Sequence, residues 1–243
     1  MQRYFIYFSY DGTAYHGWQV QPNGNSVQAE LQRALSVALR QTIVVVGAGR
    51  TDTGVHARTM VAHFDFDRQI DELQMVYKLN RLLSRNISVS KVQSVAADMH
   101  ARFSAKWRTY HYYIHTTKNP FLRHYSCQLH YQLDFLLMNQ AAQHLLMVKD
   151  FGAFCKTHAD VKTTLCTVVQ AEWVKVDDDS WYFVIKANRF LRNMVRAVVG
   201  TLIEVGRHRM TISEFDDVVK SGNRSNAGES MPANALFLED IQY

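Results

Sequence analysis

The residues best placed to do chemistry lie between positions 47 and 57, in GAGRTDTGVHA. Three glycines, the hydroxyls of Thr51 and Thr53, Arg50 and His56 surround a single carboxylate, Asp52, and Arg58 follows directly. Such parts serve several chemistries. A phosphate loop needs Lys and then Ser or Thr after its last glycine, or a GxGxxG that runs into a helix. Here GVHART leads into a predicted strand, so neither form is met. Asp52-Thr53-Gly54 matches the aspartic-protease tripeptide, but that mechanism needs two carboxylates sharing one proton. The chain has no second DTG, so the protease reading requires a dimer, and Arg50-Thr51 stand where apolar residues usually precede that aspartate. A turn role explains an Asp beside a Gly. It does not explain why Arg50 and Arg58 flank one carboxylate, a setting that holds it ionised.

A second chemistry-bearing stretch runs from Met99 to Leu133, where no acidic residue occurs. Arg102, Lys106, Arg108, Lys118 and Arg123 supply charge, and eight aromatic residues, among them Phe103, Tyr110, Tyr112, Phe121 and Tyr125, are interleaved with histidines. Cations track a phosphate backbone and aromatic faces stack on unpaired bases. Strand alternation assigns about half of those aromatics to a sheet core. The surviving inference is a basic surface with a recessed tyrosine, suited to RNA. His111 and His115 share a strand face but lack an acidic or cysteine partner nearby, so metal ligation is not expected. Asp177–Asp179 reads as a solvated hairpin turn, because its flanks alternate apolar and polar residues.

These groups need a scaffold. RYFIYFSYDG reads as a strand ending in a turn, and Ser26 caps a helix whose apolar face is Val27, Leu31, Ala34, Leu35 and Ala38. TIVVVG reads as a short buried strand. MVAHFDFD alternates as a half-buried strand, DELQMVYKLNRLL as a helix capped by Asp71, and ISVSKVQSVA as a strand. The second half repeats this grammar. It has a long strand at WRTYHYYIHTT, a helix at LDFLLMNQAAQHLL, two strands around Asp177–Ser180, and a helix over FLRNMVRAVVGTLIEVG. In that last helix Leu191, Met194, Val195, Val198 and Leu202 form the apolar stripe, with Arg192 and Arg196 one turn apart on another face. A Thr211/Glu214 capping box opens a further helix that closes at Gly222, and ALFLEDIQY is a last strand. Strands and helices mix without strict alternation, which implies an α+β fold: two mixed α/β subdomains, residues 1–98 and 99–243, with a largely antiparallel sheet and helices packed on it.

Whole-chain properties fit a globular protein. The 243 residues provide ample core, 47% are hydrophobic and 20% charged. The net charge of +5 points weakly towards an acidic or nucleic-acid partner. Cys127, Cys155 and Cys166 are odd in number and form no CxxC pair, so neither a disulfide framework nor a zinc site is expected. The N-terminus lacks a signal-peptide pattern and no apolar run reaches membrane-span length, so a soluble cytoplasmic protein is expected.

With those residues in place, a resemblance is evident. GAGRTDTGVHA is similar to the GxGRTDAGVHA signature of the tRNA pseudouridine synthase A family. YDGTAYHGWQVQPNGNSVQAEL, FSAKWRTYHYYI, NPFLRHYS, DFGAFCK and NRFLRNMVRAVVGTLIEVG also resemble family blocks, so the similarity covers essentially the whole chain. The resemblance implies an isomerase that converts uridine to pseudouridine in the anticodon stem-loop of tRNA, at positions 38, 39 and 40, without metal or organic cofactor. It implies a homodimer of two-domain subunits with tRNA lying across the dimer. By matched position Asp52 is the catalytic aspartate, Tyr110 the active-site tyrosine and Arg196 the basic partner of the aspartate. Arg50, Arg58 and Leu236 are substrate-binding, with Arg50 filling the base stack when the uridine flips. Two departures stand out: Thr53 where the family usually has Ala, and Ala235 where it generally has Gly. If position 235 needs a positive φ, Ala costs roughly 1 kcal/mol there.

The residues by themselves also admit a non-catalytic RNA-binding module, which would not need Asp52, and the dimeric protease, which would not need RNA.

Overall fold

The computed structural model describes residues 1–22, 24–157 and 161–243. The chain divides into two compact units, Met1–Lys106 with Phe237–Tyr243, and Trp107–Leu236. The expected boundary at 98/99 therefore moves to 106/107, and the C-terminal strand returns to the first unit. Hydrogen bonds account for the shift. Arg3 Nη1 donates to Met99 O (3.0 Å), Ala101 N–H donates to His63 Nδ1 (3.1 Å), and Lys106 N–H donates to Gln242 O (2.7 Å).

The first unit contains β1 (Gln2–Tyr10), α1 (Val27–Leu39), β2 (Val46–Gly47), β3 (His56–Phe66), α2 (Glu72–Leu82) and β4 (Ile87–Val95). Its sheet runs β4-β1-β3, all antiparallel, and β2 also pairs antiparallel with β3. The last strand, Leu236–Gln242, lies parallel to β3, with His56 opposite Phe237 and Ala57 opposite Leu238. Ser26 and Asp71 cap α1 and α2 through side-chain oxygens, as their positions predict. The stretch Thr42–Val45 does not form the expected strand. Its backbone bonds instead to side chains of α1: Ile43 N–H to Ser36 Oγ, and Val45 to Gln32 Oε1 through its N–H and to Gln28 Nε2 through its C=O. Only Val46–Gly47 reaches the sheet. In β3 the alternation predicts one buried face, Met60, Ala62, Phe64 and Phe66, yet Val61 and His63 of the other face are buried too. His63 lies under the 99–103 segment, whose amide it receives.

The second unit contains β5 (Trp107–His115), β6 (Cys127–Gln128), α3 (Phe135–His144), β7 (Val168–Lys175), β8 (Ser180–Ala187), α4 (Met194–Gly206) and α5 (Ile212–Ser221). Its sheet runs β5-β8-β7, antiparallel, with β6 parallel on β5. The closing strand, already placed in the first unit, is β9 in chain order. Asp177–Asp179 is the β7–β8 turn: Val176 and Asp177 N–H groups donate to Ser180 O, and Asp177 Oδ1 accepts from Asp179 N–H. The Thr211/Glu214 capping box is formed in full. α4 starts four residues later than expected, because Asn193 adopts a left-handed conformation (φ 68°) that no helix continues through. Arg192 therefore lies in the preceding loop and does not share a helix face with Arg196. Nearly every residue of α4 is buried, so the apolar stripe is wider than a surface helix would carry.

Among the described residues no helix is long and apolar enough to cross a membrane, and no group of three or more His, Cys, Asp or Glu could hold a metal ion. Cys127, Cys155 and Cys166 are free thiols.

Candidate active-site elements

The residues singled out by sequence fall in both units: Arg50, Asp52 and Arg58 in the first, Tyr110, Arg196 and Leu236 in the second. In the first unit the loop 47–57 is seated on residues 10–18. Tyr10 Oη lies 2.9 Å from Thr51 Oγ1, Trp18 N–H donates to Thr51 O, and Gly12 N–H donates to His56 Nδ1 (3.0 Å). Two glycines let the backbones meet. A Cβ on Gly12 would stand 2.0 Å from Val55 O, and one on Gly17 (φ 88°) would stand 2.3 Å from Thr51 O. Gly47 lies against the Trp18 indole in the same way.

Within this seat, residues 52–55 make a tight turn, with Val55 N–H donating to Asp52 O and Gly54 at φ 80°. A positive φ at the third position is the mark of a type II turn. The turn is thus closed by the Asp52 backbone carbonyl, and the half-buried carboxylate is not the group that closes it. Thr53 is exposed at the tip, where the hydroxyl and methyl that threonine adds to the alanine β-carbon meet no packing constraint.

His56 is buried, and its Nδ1 accepts the Gly12 amide. Asp11 Oδ1, 3.2 Å from the same nitrogen, instead accepts from Thr13 N–H and Thr13 Oγ1. The His56 ring stacks on Phe237 at 4.6 Å, and Arg58 lies over the same Phe237 ring, with its guanidinium carbon 5.3 Å from the centroid and its Nε 3.2 Å from Glu239 Oε2. Sequence spacing set Arg58 beside Asp52; the fold pairs it with Glu239. Burial raises the Glu239 carboxyl above its ordinary value, and Arg58 opposes that rise. Arg50 is exposed on the loop. Nothing in LEDIQY marked Glu239 as a partner, since only the parallel register of β9 on β3 creates the pair.

In the second unit Tyr110 sits in the middle of β5, opposite Ile185 of β8, 9% exposed, with the edge of its ring against Phe190 at 4.8 Å. Arg196 occupies the first turn of α4 and is half-buried. Its Nε donates to Met231 O (2.5 Å), while Met231 N–H donates to Arg196 O (3.1 Å). Leu236 is buried. Ala235 lies in a short 3-10 turn and its φ is not positive, so the strain that Ala would bring to a left-handed position does not arise. Tyr110 and Tyr112 are buried on one face of β5, with His111 and Tyr113 between and beyond them less so, whereas Phe103, Phe121 and Tyr125, which lie outside the strand, are exposed. Tyr112 donates to Pro232 O (2.9 Å), and burial drives its phenol well above the usual range. His115 Nδ1 is 2.8 Å from Ser126 Oγ and burial lowers its pKa, the state of a satisfied core histidine.

The first unit thus seats Asp52, and the second holds Tyr110 within its sheet and Arg196 at a helix start. Comparison with known proteins gives the family. The family model described as tRNA pseudouridine synthase matches residues 6–104 and 141–243. A tRNA pseudouridine synthase A of Bacteroides fragilis is 54% identical over 244 residues, covering 100% of this chain and 97% of that protein. The protein of the same name from Bacteroides thetaiotaomicron is also 54% identical, covering 100% of this chain and 91% of its own length. That from Bacillus licheniformis is 38% identical, covering 97% and 96%.

Proposed function

The chain belongs to the tRNA pseudouridine synthase family and isomerises uridine in tRNA to pseudouridine; from that premise we propose that Asp52 is its catalytic carboxylate, with Tyr110 and Arg196 as its partners, and that its target lies in the anticodon stem-loop at positions 38, 39 and 40. The observation that carries the assignment is the seat of Asp52. The loop is locked by Gly12, Gly17 and Tyr10, and its turn is closed by the Asp52 backbone carbonyl, so that the one carboxylate of the loop is carried at a fixed position.

The reaction breaks the N1–C1′ bond and makes a C5–C1′ bond within the same nucleotide. The base must stay held between the two steps, and a target in or beside a stem must first be extruded, at a cost of a few kcal/mol. The Asp52 carboxylate acts as nucleophile on the ribose or on C6, or removes a ribose proton. After reattachment through C5 the proton on that carbon leaves, and N1 carries one in the product, so the change is an isomerisation with no net atom gained or lost. Tyr110 stacks on the uracil and assists the C5 proton transfer, directly or through water. Arg196 directs the Asp52 carboxylate. Because Nε of Arg196 is given to Met231 O, the two terminal nitrogens form the edge that offers parallel hydrogen bonds to a carboxylate. Arg50, Arg58 and Leu236 contact the RNA, with Arg50 taking the place of the extruded base. The enzyme works in the cytoplasm as a homodimer, without cofactor.

The test is a product map. Unmodified tRNAs carrying uridine at only one of positions 38, 39 and 40 are incubated with the protein, and pseudouridine is located by sequence. Product at those positions is expected; product confined to another arm would overturn the anticodon assignment.

A further inference from the structure

Arg196 does not stand alone at the start of α4. Residues 228–232 run along the helix as a strap, and the contact is backbone-close. A Cβ on Gly200 would lie 1.8 Å from Glu229 O, and one on Gly228 would lie 2.8 Å from the Gly200 carbonyl. Gly228 N–H donates to Thr201 Oγ1 (2.9 Å), whose own proton goes to Ala197 O (2.8 Å). At the other end of the strap Pro232 O accepts the Tyr112 hydroxyl. Between these anchors Met231 makes the reciprocal pair with Arg196, backbone N–H to carbonyl and carbonyl to guanidinium Nε.

What sets the strap at Met231 is the residue before it. Ser230 Oγ accepts two hydrogen bonds, from Asn193 Nδ2 (2.6 Å) and from Arg224 Nη2 (2.7 Å). Asn193 is the left-handed residue directly before α4, a conformation that asparagine tolerates better than most side chains. The same residue therefore ends the loop and reaches across to the strap. Arg224 is also tied to the strap's root through Ala227 O (3.3 Å). The Met231 carbonyl is in turn the acceptor that orients the guanidinium plane.

We infer that Ser230, held by Asn193 and Arg224, is a positioning residue for the reaction: it fixes the Met231 carbonyl and through it the direction in which Arg196 presents its terminal nitrogens. This rests on the proposed role of Arg196. It adds that the role depends on a hydroxyl that itself touches neither the carboxylate nor the base.

Ser230→Ala removes the acceptor, Asn193→Gly removes one donor while keeping the left-handed backbone, and Ser230→Thr keeps the hydroxyl. Single-turnover rates at saturating enzyme, tRNA Kd and Tm are measured for each, beside Arg196→Met. Ser230→Ala is expected to slow the chemical step about tenfold, in the range that misdirection of a reacting group produces. Its tRNA Kd should stay within about twofold. Asn193→Gly should lose rate in the same direction, and Ser230→Thr should recover to within about threefold of wild type. Wild-type rates in both Ser230→Ala and Asn193→Gly, with Arg196→Met impaired, would overturn the positioning role while leaving Arg196 in place. A loss that appears in Kd alone, or that Thr does not restore, would also overturn it. A wild-type rate in Arg196→Met would remove the premise itself.

Discussion

Tyr110, proposed as an active-site group, is by its packing also a core residue. Its ring is 9% exposed and packed edge-on against Phe190, so removing only its hydroxyl leaves the packing and the face intact. Tyr110→Phe is therefore expected to bind tRNA as wild type does and to slow the chemical step, by about tenfold or more if the hydroxyl moves the C5 proton. Single-turnover measurement on bound tRNA separates the two, and an unchanged rate would reduce Tyr110 to stacking alone. At this scale the sequence was legible where the residue type is rare in its context. One carboxylate among glycines, or one arginine in an apolar helix, draws attention without a structure. It was not legible where a contact depends on a long-range register. The Arg58–Glu239 pair and the Arg196–Met231 lacing join residues 181 and 35 positions apart, and no local pattern marks either partner. His56 reads in the sequence as a loop histidine of open role; in the fold its Nδ1 is spent on the Gly12 amide, which makes it a support of the loop.

The elements that matter most are the two that clasp each other, residues 10–18 and 47–57. Their contact leaves no space for a side chain at Gly17, which also has φ 88°. Gly17→Ala is expected to destabilise the protein by roughly 2 kcal/mol or more, the sum of a left-handed alanine and a clash with Thr51 O, and to displace the Asp52 turn. Gly49→Ala, whose Cβ would meet nothing within 4 Å, should change stability by no more than about 0.5 kcal/mol. Urea unfolding of the two variants checks the contrast; equal midpoints would show that the clasp is loose. Caps and turns were read correctly because they are local chemistry: Ser26, Asp71, Thr211 and the Asp177–Ser180 hairpin all depend on residues within four positions. Thr42–Val45 was misread because side chains of α1 took the backbone groups a sheet would have used, and the start of α4 because one asparagine, although tolerant of a left-handed conformation, does not outweigh the apolar helical pattern around it.

For the molecule as a whole, the fold class was legible and the partition was not, because both the 99–106 segment and β9 are held in the first unit by distant partners. Part of that hold is titratable. His63 Nδ1 accepts from Ala101 N–H, and His100 Nδ1 accepts from Arg102 and Phe103 N–H, so both rings must be neutral. Burial, His100 and Arg3 lower His63 from 6.5 to about 4, with Asp65 opposing; burial, Arg3 and Arg102 lower His100. The unfolded chain then takes up a proton that the folded chain refuses. Stability is complete above about pH 6.5 and falls as pH drops towards 4, by on the order of 3 kcal/mol for His63. His63→Gln, which still offers an acceptor but does not titrate, should flatten that slope; parallel curves for the two proteins would contradict the linkage. The central claim is that Asp52 performs the isomerisation, and the most direct measurement of it is single-turnover pseudouridine formation by Asp52→Asn on unmodified tRNA, with Kd measured on the same samples. No product above about one per cent of the wild-type rate is expected, with a Kd within several-fold of wild type; turnover above that level by a protein that binds tRNA normally would rule Asp52 out as the reacting carboxylate.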